Sequence, residues 1–136
     1  MTRPPEPDPH ARVNSLNDQA ELALTRHPGQ VQLYAAEALK LAQSVGDAAG
    51  AVRARILLAT GNSLQGRLDE ALPELRAALQ VAQEMHLHEL TARALNSLGV
   101  AYVKRGEIGS GLRAFLRGLQ TLDALETGTR EQAASA

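Results

Sequence analysis

The segment from Leu95 to Leu122 reads LNSLGVAYVKRGEIGSGLRAFLRGLQTL and has the pattern of two amphipathic helices. Apolar and small residues recur in it three and four positions apart, which is the period of one helix face. They are Leu95, Leu98, Gly99 and Tyr102 in the first helix, and Ile108, Gly111, Leu112, Phe115, Gly118, Leu119 and Leu122 in the second. Gly106 lies in the break between them, where a glycine with positive φ lets the chain reverse. The segment therefore predicts an antiparallel helical hairpin in which Gly99 and Gly111 sit at the crossing.

The same pattern occurs 40 residues earlier in the chain. The identical pairs at that offset are Arg53/Arg93, Ala54/Ala94, Leu58/Leu98, Gly66/Gly106, Leu72/Leu112, Leu79/Leu119 and Gln80/Gln120. A single hairpin cannot bury its apolar face alone, so a repeat of this kind predicts stacked hairpins with a shared core.

The order of these residues resembles the tetratricopeptide repeat. As in that family, small residues stand at Gly111 and Gly118, aromatic residues stand at Tyr102 and Phe115, and the turn glycine stands at Gly106. In the earlier copy the equivalent residues are Leu58, Ala59, Asn62, Gly66, Leu68, Ala71, Leu75, Ala78 and Leu79, with an asparagine in place of the aromatic residue. The resemblance covers residues 52–125. It implies an all-α fold, a right-handed superhelical stack of three antiparallel helical hairpins (an α-solenoid).

The chain divides into a leader, three hairpins and a tail. Residues 1–12 hold four prolines among charged residues and predict a disordered, Pro-rich leader. The hairpins are expected at about residues 13–45, 47–85 and 88–125. The first is divergent and turns at His27-Pro28-Gly29, and Gly46-Asp47 separates it from the second. Pro73 lies close enough to the start of the fourth helix to be tolerated there.

Residues 126–136 are expected to be a tail or the start of a truncated further repeat. Ala134 lies 40 residues after Ala94, which favours the second possibility.

Composition excludes several classes of partner. The chain of 136 residues has 14 basic and 15 acidic residues spread along it, so it offers no electrostatic footprint for nucleic acid or an acidic membrane. No long apolar run predicts a membrane helix, and the N-terminus lacks the apolar core of a signal peptide. The absence of cysteine leaves no disulfide framework and no thiolate metal site. We predict a cytoplasmic protein that binds neither nucleic acid nor membranes.

The sequence contains no recognisable catalytic arrangement. An enzyme needs an activated nucleophile, a positioned acid/base pair or a metal. His86 and His88 could contribute to a metal site with Glu84 or Glu89, but alternate residues before a helix are usually solvated and zinc requires at least three protein ligands. We therefore expect no metal, no cofactor and no enzymatic activity.

The resemblance places a binding surface on the first helix of each hairpin. In tetratricopeptide domains these helices line a concave groove that commonly grips an extended peptide or a partner helix. Carried over by register, the groove residues are Arg53, Ile56, Thr60, Arg93, Asn96, Val100 and Lys104. Arg53 and Arg93 could present two guanidinium groups to a carboxylate or an acidic peptide. The alternative is that both arginines are solvated side chains at helix starts.

The expected function is a protein–protein interaction scaffold that binds a protein or peptide in this groove. Bacterial proteins with similar repeats often join them to output domains, so we expect the N-terminal part of a larger bacterial signalling or regulatory protein. The alternative is a homo-oligomerisation module. The last hairpin has no successor to cover its apolar face, so Leu116 and Leu119 are expected to be exposed and to form a homodimer contact.

Overall fold

A computed structural model describes residues 8–134, and this part of the chain is helical throughout apart from its turns. The helices are α1 (Pro9–Arg26), α2 (Val31–Val45), α3 (Ala48–Leu64), α4 (Leu68–Glu84), α5 (His88–Lys104) and α6 (Ile108–Ala134). Consecutive helices pack against each other, and α1, α3 and α5 also pack side by side. The helices therefore form three stacked hairpins with α1, α3 and α5 as the inner layer, which confirms the predicted all-α fold.

The four turns from α2 to α6 have one common geometry. Each contains a residue with positive φ, and these residues follow one another at intervals of 20: Gly46 (72°), Gly66 (83°), His86 (56°) and Gly106 (92°). In each turn the backbone N–H of the residue after the positive-φ position donates a hydrogen bond to the carbonyl oxygen five residues earlier. An example is Glu107 N–H to Tyr102 O, at 2.8 Å. The recurrence sets the spacing of the repeat, because α3, α4 and α5 have 17 residues each and are each followed by a turn of the same length.

The first turn differs from the other four. A short 3₁₀ helix at Pro28–Gln30 joins α1 to α2, and His27 caps α1 through a bond from its N–H to Ala23 O at 2.9 Å. The predicted break at His27-Pro28-Gly29 is confirmed, and the first hairpin is the irregular one.

The helical domain is longer at both ends than the predicted residues 13–125, because it extends from Pro9 to Ala134. The boundary between leader and helix at residue 12 is wrong, because α1 already begins at Pro9. Asp8 caps it by accepting a bond from His10 N at 3.1 Å, and a proline in the first turn loses no helical hydrogen bond. Residues 1–7 of the predicted leader lie outside the described residues.

The predicted end at residue 125 is also wrong. Helix α6 continues without a break to Ala134, so residues 126–134 form neither a separate tail nor a new repeat. They extend the last helix past the start of α5, because the alanine, glutamine and charged residues there carry no break signal strong enough to stop it.

The main core lies between α3, α4, α5 and α6. Leu72, Leu75 and Leu95 are fully buried within it, surrounded by alanines. Helices α5 and α6 approach each other closely, because a Cβ on Gly111 would lie 2.9 Å from the carbonyl oxygen of Gly99. The predicted crossing at Gly99 and Gly111 is thus confirmed. None of the described helices has both the length and the apolarity required to cross a membrane.

Candidate interaction surfaces

Polar side chains connect the inner helices to one another. Thr60 on α3 and Ser97 on α5 share a hydrogen bond of 2.9 Å between their hydroxyl oxygens. Lys104 on α5 donates to the backbone oxygen of Ser63 on α3 at 3.4 Å. On the other side of α3, the buried Asn17 of α1 donates to Gly50 O at 3.1 Å. These bonds fix the lateral register of the inner layer.

An ion-pair cluster joins α1 to both other inner helices. Arg53 on α3 donates to Asp18 at 2.7 Å and to Glu21 at 3.3 Å, and Arg93 on α5 donates to the other oxygen of Glu21. The side chain of Arg53 is only 19% exposed. The structure therefore brings the predicted pair Arg53 and Arg93 together, but through an acidic residue of the same chain. The sequence had suggested either that the two arginines bind a ligand or that they are solvated side chains. Neither hypothesis included Glu21 as their partner.

A cleft of about 830 Å³ lies between the inner helices and α6. Its lining residues are Glu21, Leu24, Ile56, Leu57, Thr60, Glu89, Ala92, Arg93, Asn96, Ser97, Phe115, Gly118, Leu119, Leu122 and Leu125. The wall from α3 and α5 is mixed, with Thr60, Asn96 and Ser97 beside Ile56 and Leu57, whereas the wall on α6 is apolar. A mixed wall opposite an apolar one suits an amphipathic segment.

The predicted groove residues separate into two sets. Thr60, Arg93 and Asn96 line the cleft, and so does Ile56, although it belongs to the core and is only 4% exposed. The other three, Arg53, Val100 and Lys104, do not line it. Sequence reasoning missed the contributions of α1 and α6 to this cleft, and it assigned Leu119 of α6 to a homodimer contact instead. A signal for the residues of α6 was present, because the apolar face of that helix continues past the residues needed for the hairpin.

The exposed face of α6 corresponds to a face of α4 that is buried. Leu112 and Leu119 are 60% and 65% exposed, whereas Leu72 and Leu79, 40 residues earlier, are 0% and 8% exposed. The leucines of α4 are covered because α5 packs on that helix. Leu116 is exposed as well, together with Ile108 and Leu122. We call these five residues, Ile108, Leu112, Leu116, Leu119 and Leu122, the α6 stripe.

The two histidines at the start of α5, one in the preceding turn and one in the first position of the helix, do not belong to a cluster of metal-binding side chains. The rings of His86 and His88 lie with their centres 6.3 Å apart. Within residues 8–134 no group of three or more His, Cys, Asp and Glu side chains is arranged to hold a metal ion.

Comparison with known proteins agrees with the geometry. The chain is similar in structure to the TPR domain of FLU from Arabidopsis, with a TM-score of 0.71 and 18% identity over 86% of this chain and 99% of that one. At this identity the likeness concerns the fold alone. The search of curated proteins found no match. A family model described as Tetratricopeptide repeat matches residues 51–124, which is more than half of the chain. That range covers most of the hairpins α3–α4 and α5–α6, and the chain belongs to the tetratricopeptide repeat family.

Proposed function

We propose that this chain is a protein-interaction scaffold that binds an amphipathic helix of a partner protein in the cleft between the inner helices and α6. Tetratricopeptide domains typically bind proteins or peptides, and the two-walled cleft is the observation that supports this more specific function. The partner's apolar face would contact Phe115, Leu119 and Leu122, and its polar face would meet Thr60 and Asn96.

The internal packing of the chain supports a helix as the ligand. Helix α5 lies on the apolar face of α4 in the same way that a partner helix would lie on the equivalent face of α6. Arg93 lines the cleft while it is paired with Glu21, so a carboxylate of the partner would have to compete with that residue. The contribution of Arg93 to binding is therefore smaller than that of an unpaired arginine.

The proposal also covers the cellular location of the chain and the larger protein to which it belongs. We propose a cytoplasmic scaffold, consistent with the lack of cysteine, that acts by binding and not by catalysis. We also propose that it serves as the N-terminal part of a larger bacterial signalling or regulatory protein, on the resemblance of its repeats to those that bacterial proteins join to output domains.

The test is selection of peptides from a displayed library against the immobilised chain, followed by titration of purified peptides. Asn96→Trp places a bulky side chain in the cleft and should weaken binding by about tenfold or more. Gln80→Trp is the matched control, because Gln80 is exposed on the outer helix α4 and should leave binding unchanged. Equal affinity of selected peptides for the wild type and Asn96→Trp would contradict the proposal.

Self-association is the second candidate function. The α6 stripe favours it, since large apolar patches on a protein surface mark sites of contact.

A further inference from the structure

We propose that two copies of this chain form a symmetric dimer by pairing their α6 stripes in antiparallel orientation. This goes beyond binding in the cleft, because the stripe includes Leu112 and Leu116, which do not line it. Among the described residues the stripe is the largest run of exposed leucine and isoleucine side chains on one helix face.

The stripe has the geometry of a helix-docking surface. Its members are spaced by three and four residues from Ile108 to Leu122, so they form one face of α6. On α4 the residues equivalent to Leu112, Leu119 and Leu122 are buried beneath the neighbouring helices, whereas Arg76, the equivalent of Leu116, is exposed, so a helix covers most of this surface there. Helix α6 continues without a break to Ala134, so none of the described residues after Leu122 folds back over the stripe.

The opposite end of the stack does not complement this surface. The exposed residues of α1 are mostly polar, including Asn14, Ser15 and Gln19, and Leu22 is the one large apolar side chain exposed on that helix. Head-to-tail stacking would therefore place an apolar stripe against a polar helix. A two-fold axis instead places the stripe against its own copy, so that both partners bury apolar area.

The charges of α6 favour the antiparallel orientation. Up to Gln120 the charged residues of the helix are Arg113 and Arg117, whereas Asp123 and Glu126 begin its acidic second half. Antiparallel pairing puts the basic half of one copy beside the acidic half of the other, and it also opposes the two helix dipoles. Parallel pairing would place like charges side by side.

In one register the leucines nearest the two-fold axis face each other and opposite charges come together, whereas Ile108 and Leu112 lie outside the apolar contact, opposite charged residues of the second copy. With Leu119 on the two-fold axis, Leu116 of one copy lies opposite Leu122 of the other. Arg113 then comes within reach of Glu126 in the second copy, where it would share that carboxylate with Arg130 of the same helix, which pairs with Glu126 at 2.9 Å. Leu112 lies seven residues from the axis, so the two copies of this residue are about 21 Å apart along the helices.

The first test measures mass by light scattering during a dilution of about a hundredfold. The wild type should change from dimer to monomer as the concentration falls. Leu116→Glu should raise the dissociation constant by about tenfold or more, because it places a carboxylate in the apolar contact. Leu33→Glu is the matched control, since Leu33 is a leucine on the outer helix α2 that is also more than half exposed. Far-UV circular dichroism establishes that each variant is folded.

The second test uses the absence of cysteine from the chain. Under mild oxidation Leu119→Cys should form a disulfide-linked dimer, because a disulfide needs Cα atoms about 4.4–6.8 Å apart. Leu112→Cys should remain unlinked. A wild type that stays monomeric at every concentration, a dimer unaffected by Leu116→Glu, or equally fast cross-linking at both positions would each overturn the proposal.

The α6 stripe and the cleft share Leu119 and Leu122, so a bound peptide and a second copy compete, but each proposal has a test residue outside the other surface: Leu116 does not line the cleft, and Asn96 is not part of the stripe. Leu116→Glu should still bind the selected peptides, and Asn96→Trp should still dimerise. A failure of one proposal can therefore be told from a failure of the other.

Discussion

Gly99 and Gly111 allow the backbones of α5 and α6 to approach at their crossing. A Cβ on Gly99 would lie 2.6 Å from an atom of the Phe115 ring, and one on Gly111 would lie 2.6 Å from Val103 Cγ2. At Gly111 the added Cβ would also clash with a backbone atom, because it would lie 2.9 Å from the carbonyl oxygen of Gly99. At Gly99 the atoms in the way all belong to a side chain. Side chains can rotate away from an added methyl group, whereas the carbonyl of a packed helix cannot move without shifting the helix.

Gly111→Ala should therefore lower the free energy of unfolding by about 1–3 kcal/mol. Gly109→Ala is the matched control in the same helix, because its Cβ would approach only the flexible end of Arg113. That change should be neutral or should stabilise the protein by about 0.5–1 kcal/mol through helix propensity. Urea denaturation measures both. Equal midpoints for the two variants would mean that the crossing is looser than the structure indicates.

At the scale of the helix and its turn, His86 is the exception among the four repeated turns. It adopts a φ of 56°, where the other three turns have glycine. A left-handed backbone costs a residue with a side chain roughly 1–2 kcal/mol. The His86 side chain is exposed, so little contact offsets that cost.

His86→Gly should raise the free energy of unfolding by roughly 0.5–1 kcal/mol, after allowance for the greater freedom of glycine in the unfolded chain. The thermal midpoint should rise by a few degrees. His88→Gly serves as the control, because His88 is the first residue of α5 and has no positive φ to relieve. A lower midpoint for His86→Gly would show that the imidazole makes a stabilising contact.

On the scale of the whole molecule, Glu21 links the first hairpin to both others. It pairs with Arg53 of α3 and with Arg93 of α5, across separations of 32 and 72 residues. Glu21 and Arg93 are partly exposed, so water screens their attraction, but Arg53 is mostly covered. The cluster therefore contributes modestly to stability and sets how the three inner helices lie side by side.

Glu21→Gln should lower the free energy of unfolding by about 0.5–1 kcal/mol at low salt, and the difference from wild type should shrink as sodium chloride is added. Glu37→Gln removes the exposed pair between α1 and α2, Arg12–Glu37, and should change the midpoint little. Urea titrations at low and high salt give both values. Identical midpoints for wild type and Glu21→Gln at low salt would show that the cluster does not hold the hairpins together.

The sequence by itself determined the helices, the turns and the packing between neighbours. The apolar period, the turn glycines and the repeat at 40 residues encode contacts within one hairpin, which lie close along the chain. For the same reason the crossing at Gly99 and Gly111 could be predicted. The ends of the domain were predicted poorly, because Pro9 suits a helix start and the residues after Leu125 carry no strong stop signal.

Only the tertiary structure decided which side chains meet across hairpins. The pairing of Arg53 and Arg93 with Glu21, the burial of Ile56 and the joining of α6 to the cleft all depend on how far each hairpin is rotated against the last. That rotation results from the summed packing of many alanines and leucines, and it leaves no period in the sequence. Residues distant along the chain become neighbours through it, and so the surface available for binding was fixed by the fold as a whole.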